Sequence, residues 1–429
     1  MKLGFFLVFL VLYMTLEPGI LLPQVEADDD DEFVKVKGVH LMLNGSPYYA
    51  NGYNAYWLMY IASDPSQRNK VSSVFQKATN HGLNITRTWA FSDGGYKPLQ
   101  YSPGSYNEDM FLGLDFVISE ARRYGTKLVL SLVNNYDNFG GKKQYVDWAK
   151  GEGQAINSED DFFTNPVVKG YYKNHIKTVL TRRNNFTGVI YKDDPTIMAW
   201  ELMNEIRCPS DQSGNTVQAW ITEMASYLKS IDGNHLLEAG LEGFYGQSKQ
   251  ESNPSFHVGT DFITNNQISG IDFATVHSYP DQWLPGSSNE EQMLFLVGWL
   301  NDHIQDAQSI QKPVLFAEFG VATKNISSDS TLRDQFFNLV YSAIYSSASD
   351  SGAAVGGLFW QLLAEGMDSF RDGYEVPLDE SCSTATLIAQ ESQKLNRIRI
   401  KRFPRVNKAR QVRSSRWQGG ANKRNKDKS

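Results

Sequence analysis

The chain has 429 residues, of which 41% are hydrophobic, 13% aromatic and 21% charged. This composition can fill a sizeable core and excludes a disordered, collagen-like or disulfide-scaffold protein. The length is about twice that of a typical domain but fits one large α/β barrel. The net charge of −7 is unevenly distributed, because residues 394–429 contain 14 Lys and Arg against one acid. An acidic body, with a balance of −20, therefore precedes a basic tail.

The N-terminus has the pattern of a secretory signal peptide over residues 1–27. One lysine precedes an apolar run (residues 3–12) that is too short to span a bilayer, and cleavage is predicted after Ala27. An uncleaved anchor helix is the alternative, which Glu17 and Pro18 disfavour because they interrupt the apolar run. We therefore expect a secreted, soluble protein of the extracellular space or cell wall, without stable membrane insertion.

Secretion gives chemical meaning to Asn-x-Ser/Thr sequons, which are acceptors for N-linked glycans. Asn185 and Asn325 lie in polar segments and are the favoured sites, whereas Asn84 leads directly into a predicted strand. The four candidates are Asn44, Asn84, Asn185 and Asn325.

Strand-like apolar runs alternate with amphipathic helical segments about eight times along the chain, which predicts parallel strands joined by crossover helices. The predicted strands are 48–54, 85–91, 127–133, 197–203, 235–241, 272–278, 313–319 and 355–361, and the clearest helices are 108–124, 167–183, 217–231, 290–310 and 331–347. Eight units indicate an α/β protein with a single (β/α)8 TIM barrel. An open doubly wound sheet is the alternative, but its glycine-rich turn after the first strand is missing.

These patterns divide the chain into a signal peptide (1–27), a catalytic barrel domain (28–396) and a basic, disordered tail (397–429). The two cysteines, Cys208 and Cys382, follow opposite sides of the predicted barrel. A disulfide requires Cα atoms within about 7 Å, so we do not expect these two residues to pair.

Several chemistries are excluded because their motifs are missing. The seven histidines are isolated, and the chain contains neither a Cys-x-x-Cys pair nor a Gly-x-Ser-x-Gly elbow nor a phosphate-binding loop. We therefore predict no metal and no cofactor. The remaining prominent groups are carboxylates and aromatic side chains, which suit sugar chemistry.

Two carboxylates close otherwise apolar predicted strands. Glu205 follows the fourth strand, and Glu318 lies near the end of the seventh. Barrel active sites lie at the C-terminal strand ends, and glycosidases use two carboxyl groups, one with a raised pKa and one that stays ionised. Arg87, on the second strand, could keep one of them ionised. The alternatives are salt-bridged structural acids and a buried structural arginine.

Five segments, in the expected order on the expected strands, resemble plant endo-β-1,4-mannanases of glycoside hydrolase family 5, clan A. They are Arg87-Thr-Trp-Ala-Phe-Ser-Asp-Gly94, Trp200-Glu-Leu-Met-Asn-Glu205, Thr275-Val-His-Ser-Tyr-Pro-Asp281, Leu315-Phe-Ala-Glu-Phe-Gly320 and Phe359-Trp-Gln-Leu362. The resemblance spans about residues 33–395 and implies a retaining glycosidase.

The resemblance also implies residue roles. Glu205 is the expected general acid/base and Glu318 the expected nucleophile. The expected substrate-binding or positioning residues are Asn204 at the sugar 2-hydroxyl, Arg87 and Tyr279 at Glu318, His277 near Glu205, Trp360 under the sugar, and Trp89 and Trp283 at neighbouring subsites. Core packing is the alternative for Trp89 and Trp283.

One residue departs from the family pattern. Ile206 stands where the family usually has proline after the acid/base glutamate. Because proline restricts the backbone, we expect isoleucine to leave the turn freer and to weaken or alter activity.

Three functions remain open from the sequence. The first is hydrolysis of internal bonds in mannan, galactomannan and glucomannan, with possible transfer to sugar acceptors. The second is a β-1,4-glucanase, and the third is a polysaccharide-binding protein on the same scaffold. The basic tail fits retention on an anionic wall polysaccharide or a solubilising extension, and the signal peptide argues against nucleic acid as a partner.

Overall fold

The computed structural model describes residues 33–254, 257–322, 331–376, 378 and 382–402. The predicted signal peptide, the Asn325 sequon and the tail beyond residue 402 lie outside these residues, as does the side chain of Cys382. Cys208 is a buried free thiol.

The strands form one large parallel sheet and two small antiparallel sheets. The large sheet has the order β10-β9-β8-β5-β4-β13-β12-β11, and all of its seven pairings are parallel. The strands are β1 Lys35–Lys37, β2 His40–Leu43, β3 Ser46–Pro47, β4 Ala50–Asn54, β5 Ile85–Trp89, β6 Gln100–Ser102, β7 Ser105–Tyr106, β8 Lys127–Ser131, β9 Ile197–Glu201, β10 Leu236–Glu238, β11 Ala274–Ser278, β12 Val314–Phe319 and β13 Ala354–Phe359.

Hydrogen bonds across the remaining gap close the sheet into a barrel. The Asp272 backbone N–H donates to the Leu237 carbonyl at 2.8 Å, and the His277 N–H donates to the Glu242 carbonyl at 2.9 Å. These bonds join the segments that contain β10 and β11. Each of the eight predicted strands overlaps one barrel strand, so the predicted TIM barrel is confirmed.

Helices surround the barrel, and their starts follow capping rules. Asn107 caps α3, Asn165 caps α6 ahead of a proline in the first turn, and Ser288 with Glu291 forms a capping box on α10. The helices are α1 Leu58–Ala62, α2 Arg68–Asn80, α3 Glu108–Arg123, α4 Gly141–Gly151, α5 Asp161–Thr164, α6 Pro166–Leu180, α7 Asn215–Ile231, α8 Phe262–Asn266, α9 Pro280–Trp283, α10 Asn289–Ser309, α11 Thr331–Ser349 and α12 Cys382–Arg402.

The last helix affects the predicted domain boundary. Helix α12 continues to Arg402, so the boundary predicted at residue 396 falls inside a helix. Within the described residues, none of the helices has the length and apolar character needed to cross a bilayer.

The barrel interior changes from apolar to charged along the strands. Ile85, Ala199 and Leu236 belong to a buried cluster to which almost every barrel strand contributes. Side chains two residues apart on a strand face the same side, so the next interior positions on these three strands are Arg87, Glu201 and Glu238. All three are buried, with exposures of at most 1%. The charged layer therefore lies at the C-terminal end of the barrel, above an apolar base.

Candidate active site

Glu205 and Glu318 lie side by side at the C-terminal end of the barrel. One oxygen of each carboxylate and a ring nitrogen of His277 all lie within 4.8 Å of one another. Both carboxylates line an open cavity of about 250 Å³. Retaining glycosidases have carboxyl groups about 5 to 5.5 Å apart, whereas inverting enzymes need about 6.5 to 9.5 Å. The close approach of these two oxygens fits a retaining pair.

Arg87 holds Glu318 from below. Its Nη1 donates to Glu318 Oε1 at 2.5 Å and to Asn54 Oδ1 at 3.0 Å, and its Nη2 donates to Asn204 Oδ1 at 2.6 Å. The Tyr279 hydroxyl donates to the other Glu318 oxygen at 2.7 Å. Burial raises the pKa of Glu318, and the positive charge of Arg87 opposes this rise. The sequence-predicted partners of Glu318 therefore contact it directly.

Two further buried carboxyl groups, which the sequence reasoning did not single out, complete this layer. Arg87 also donates to both oxygens of Glu201, at 2.5 and 2.8 Å. Glu238 pairs with Glu201 in the register of β9 and β10 and accepts hydrogen bonds from Thr275 and from the Gly240 backbone. Burial and the Glu201 charge raise the pKa of Glu238 well above its ordinary value. Burial therefore favours the protonated form of Glu238.

Glu205 has different neighbours. Its Oε1 lies 2.7 Å from His277 Nδ1. Burial raises the pKa of Glu205, while Arg207 opposes this rise. Arg207 forms a two-point ion pair with Glu242 at 2.6 and 2.7 Å, and burial together with the Glu205 charge raises the pKa of Glu242 to about 7. Burial also lowers the pKa of His277, which favours a neutral imidazole. The nearest polar partner shown for Glu205 is therefore an imidazole, whereas Glu318 accepts from the Arg87 guanidinium.

The turn that carries Glu205 has a strained backbone. Glu205 has a φ of 55°, in the left-handed region that non-glycine residues rarely adopt. The next residue, Ile206, is buried, and its N–H donates to the Gly240 carbonyl at 3.2 Å. The expectation that Ile206 leaves this turn loose is therefore opposed by a hydrogen bond that proline could not make.

The predicted aromatic residues have different positions. Trp360 and Trp283 line the cavity with the two carboxylates. Trp89 is not in this lining and packs against Phe91 and Trp360, with ring centres 5.2 and 6.2 Å away. Trp89 thus packs beside Trp360, and its role at a neighbouring subsite stays a prediction.

Glu205, His277 and Glu318 are also chemically able to ligate a divalent cation. Their arrangement can act without one, because a carboxylic acid and a neighbouring carboxylate supply a proton donor and a nucleophile. A parallel eight-stranded barrel with such a pair at its C-terminal end has the architecture of a glycoside hydrolase.

Comparisons with known proteins agree with this class. The family model for glycoside hydrolase family 5 β-mannosidase-like proteins matches residues 31–367. The chain is 62% identical over 396 residues to mannan endo-1,4-beta-mannosidase 7 of Arabidopsis thaliana, covering 91% of this chain and 92% of that protein. It is 60% identical to mannan endo-1,4-beta-mannosidase 1 of Oryza sativa subsp. japonica, covering 91% of each.

Among solved structures, the endo-1,4-beta-mannanase from Rhizomucor miehei matches with a TM-score of 0.72 and 33% identity, covering 85% of this chain and 100% of that one. The endo-beta-1,4-mannanase from Thermotoga petrophila matches with a TM-score of 0.71 and 32% identity, covering 82% and 78%. The chain belongs to glycoside hydrolase family 5, and its resemblance to plant mannanases is confirmed.

Proposed function

We propose that this protein is a retaining endo-β-1,4-mannanase, which hydrolyses internal β-1,4-mannosidic bonds in mannan, galactomannan and glucomannan. The carboxyl spacing within 4.8 Å is the observation that carries the retaining mechanism. Eight relatives at 50 to 62% identity are named mannan endo-1,4-beta-mannosidases, two of them as putative, and these names support the substrate.

In the first step, Glu318 attacks the anomeric carbon while Glu205 donates its proton to the departing glycosidic oxygen. The contacts of Glu318 with Arg87 and Tyr279 favour its ionised form as nucleophile. Burial favours a protonated Glu205. The products of this step are a covalent glycosyl-enzyme and the released part of the polysaccharide, which carries the new hydroxyl group.

In the second step, Glu205 accepts a proton from water, which attacks the glycosyl-enzyme and releases Glu318. A sugar hydroxyl can replace water in this step, so we include transglycosylation in the proposal. Asn204 is oriented by Arg87 and by its own donation to Asn134 Oδ1 at 2.9 Å. Its second amide hydrogen can therefore contact the sugar 2-hydroxyl, a bond that strengthens in the transition state.

The test compares the wild type with Glu205→Gln and Glu318→Gln on mannan and on a cellulosic β-1,4-glucan, with reducing ends and polysaccharide binding as readouts. We expect hydrolysis of mannan by the wild type alone and retained binding by both variants. Hydrolysis of only the glucan would instead establish a glucanase. Binding without hydrolysis by the wild type would establish a polysaccharide-binding protein.

We also propose that the protein is secreted to the cell wall and retained there by its basic tail on an anionic polysaccharide such as pectin. The support is the signal-peptide pattern and the 14 basic residues after residue 393. Truncation after Arg402 keeps α12 intact. The truncated protein should leave wall preparations at lower salt than the full chain, because exposed charges are screened by salt. Equal retention would contradict the tether.

A further inference from the structure

The carboxylate of Asp372 holds the edge of the Trp360 indole. Both residues line the cavity that contains the two proposed catalytic carboxylates, which we call the catalytic cavity. The Trp360 Nε1–H donates to Asp372 Oδ2 at 2.6 Å. We propose that Asp372 is a positioning residue, which sets the orientation of the Trp360 ring under the sugar at the cleavage point. This inference rests on the proposed function.

Ring stacking restrains the Trp360 indole in only one respect. Trp360 stacks on Tyr56 with ring centres 5.6 Å apart and an angle of 11° between the planes. Such a contact limits the tilt of the indole, but a stacked ring can still slide or turn within its own plane, because dispersion is not directional. A hydrogen bond from the edge N–H is directional and removes this freedom. The contacts with Tyr56 and Asp372 therefore fix different movements of the same ring.

The turn that carries Asp372 holds its carboxylate in place without a substrate. The Tyr374 N–H donates to Asp372 Oδ1 at 2.9 Å, and Gln361 Nε2 donates to Asp372 Oδ2 at 2.8 Å. Glu375 closes the turn, because one of its oxygens accepts from the N–H groups of Asp372 and Gly373 at 3.3 and 2.8 Å. Each oxygen of Asp372 therefore has a donor besides the indole, so the carboxylate is a fixed reference point for Trp360.

The same turn also contacts the side of the site that holds the proposed nucleophile. The Tyr374 ring lies edge-on to the Tyr279 ring, with centres 5.5 Å apart. The Tyr279 hydroxyl donates to Glu318 at 2.7 Å. Through these contacts the turn connects the floor under the sugar with the group that attacks it. We expect loss of the Asp372 carboxylate to displace the Trp360 indole relative to Glu318.

The test measures kcat and KM on mannan for variants of Asp372. Asp372→Leu and the smaller Asp372→Ala remove the acceptor, whereas Asp372→Asn keeps one acceptor oxygen. The first two should lower kcat about three- to tenfold, which corresponds to one hydrogen bond, with a smaller change in KM. Asp372→Asn should restore most of this loss. Equal losses in all three variants would overturn the proposal.

Asp368→Leu is the matched control. Asp368 lies in the same loop after β13, bonds Arg371 at 2.9 Å, and does not belong to the described lining of the catalytic cavity. This variant should keep the wild-type kcat. An equal loss in Asp368→Leu would mean that the loop as a whole, rather than the Asp372 contact, affects the rate, and would overturn the proposal.

A double-mutant cycle separates positioning from direct contact between Asp372 and the sugar. Trp360→Phe keeps an aromatic floor but has no N–H to donate. If Asp372 acts through the indole, Asp372→Leu should cause no further loss of kcat in the Trp360→Phe background. The same loss in both backgrounds, or no loss in the wild-type background, would overturn the proposal.

Near-ultraviolet circular dichroism supplies a readout that does not depend on activity. Subtracting the spectrum of the matching Trp360→Phe protein isolates the Trp360 signal, which requires a fixed ring. This signal should weaken in Asp372→Leu and persist in Asp372→Asn, and an unchanged signal in Asp372→Leu would overturn the proposal. Failure of the wild type to cleave mannan would instead contradict the proposed function, while the spectra would still test the contact.

Discussion

Arg87 forms its two-point ion pair with Glu201 and gives Glu318 a single hydrogen bond. Glu201 is buried below the proposed catalytic pair and cannot reach substrate. Burial opposes the ionisation of Glu201, but the Arg87 charge holds its pKa below the ordinary value. Glu201 therefore shares one guanidinium with Glu318, and we infer that this sharing leaves the proposed nucleophile basic enough to attack.

We predict that Glu201→Gln weakens catalysis without changing the substrate contacts. Removing the Glu201 charge ends its repulsion of the Glu318 carboxylate and leaves the positive charge of Arg87 less neutralised. Both effects favour ionised Glu318, so its pKa should fall. The acid limb of the kcat profile should move to lower pH, and kcat should fall about 10- to 100-fold as the guanidinium loses its anchor. An acid limb that moves to higher pH would contradict this account.

Glu238→Gln is the matched control for that experiment. Glu238 is the neighbour of Glu201 in the sheet, and burial raises its pKa well above the ordinary value, which favours its neutral form. An amide of the same shape should leave kcat within about twofold of the wild type and the pH profile unchanged. A large effect of Glu238→Gln would mean that this group is ionised in the working enzyme.

A second prediction concerns the turn after Glu205. Ile206→Pro removes the N–H that donates to the buried Gly240 carbonyl, and proline also restricts the preceding residue, Glu205. We expect a loss of about 1 to 3 kcal/mol in the free energy of unfolding, measured by urea titration, together with a changed kcat.

Ile206→Val is the control, since it keeps the N–H and should cost about 0.5 to 1.5 kcal/mol through the lost methyl group. If Ile206→Pro matched the wild type in stability and rate, the hydrogen bond to Gly240 would have no measurable role.

A third prediction links Glu242 to the alkaline limit of activity. With a pKa of about 7, Glu242 ionises as the pH rises through neutrality, and its charge then disfavours ionisation of the adjacent Glu205. Glu242→Gln removes that charge, so Glu205 should lose its proton at lower pH. The basic limb of kcat/KM should therefore shift to lower pH, while the acid limb stays in place.

Glu223→Gln makes the same charge change on the outer helix α7. There, Glu223 accepts hydrogen bonds from Lys169 and Lys173. This control should leave the pH profile as in the wild type. A basic limb that is unchanged in Glu242→Gln would show that Glu205 titrates independently of Glu242.

A fourth prediction distinguishes two sequons. Asn185 is exposed, whereas the Asn84 amide donates to the Tyr49 carbonyl at 2.9 Å and accepts from the Asn51 N–H at 3.0 Å. After secretory expression, Asn185→Gln should remove one glycan-dependent shift in gel mobility and leave stability unchanged. Asn84→Gln should leave mobility unchanged but lower the unfolding free energy by about 1 to 3 kcal/mol. A mobility change in Asn84→Gln would contradict this distinction.

Much of the barrel could be predicted from the sequence, because apolar runs and helical periodicity are local signals. Glu205 and Glu318 could be singled out because Glu205 follows an apolar strand and Glu318 lies near the C-terminal end of another. Glu201 carried a similar signal, since it lies two residues after the interior Ala199, but its pairing with Glu238 depends on strand register. The protonation state of each buried carboxyl group depends on its distance from other charges. These distances cannot be read from the spacing of residues along the chain.

The aromatic residues show a second limit of prediction from the sequence, which is the position of a side chain relative to the cavity. Trp89 and Trp283 have similar motif contexts and similar exposures of 4% and 5%, yet only Trp283 lines the catalytic cavity. The difference arises from the packing of Trp89, the last residue of β5, against Phe91 and Trp360, which follow β5 and β13. The hydrogen bond from Ile206 to Gly240 likewise depends on the meeting of two loops.

The single side chain of Arg87 joins β5 to Asn54 on β4, to Glu201 on β9 and to Glu318 on β12. The same guanidinium therefore links four strands of the barrel and also favours the ionised form of Glu318. Attempts to make this enzyme more heat-tolerant should leave that interior layer intact and act on the outer helices, where reinforcement does not alter the chemistry.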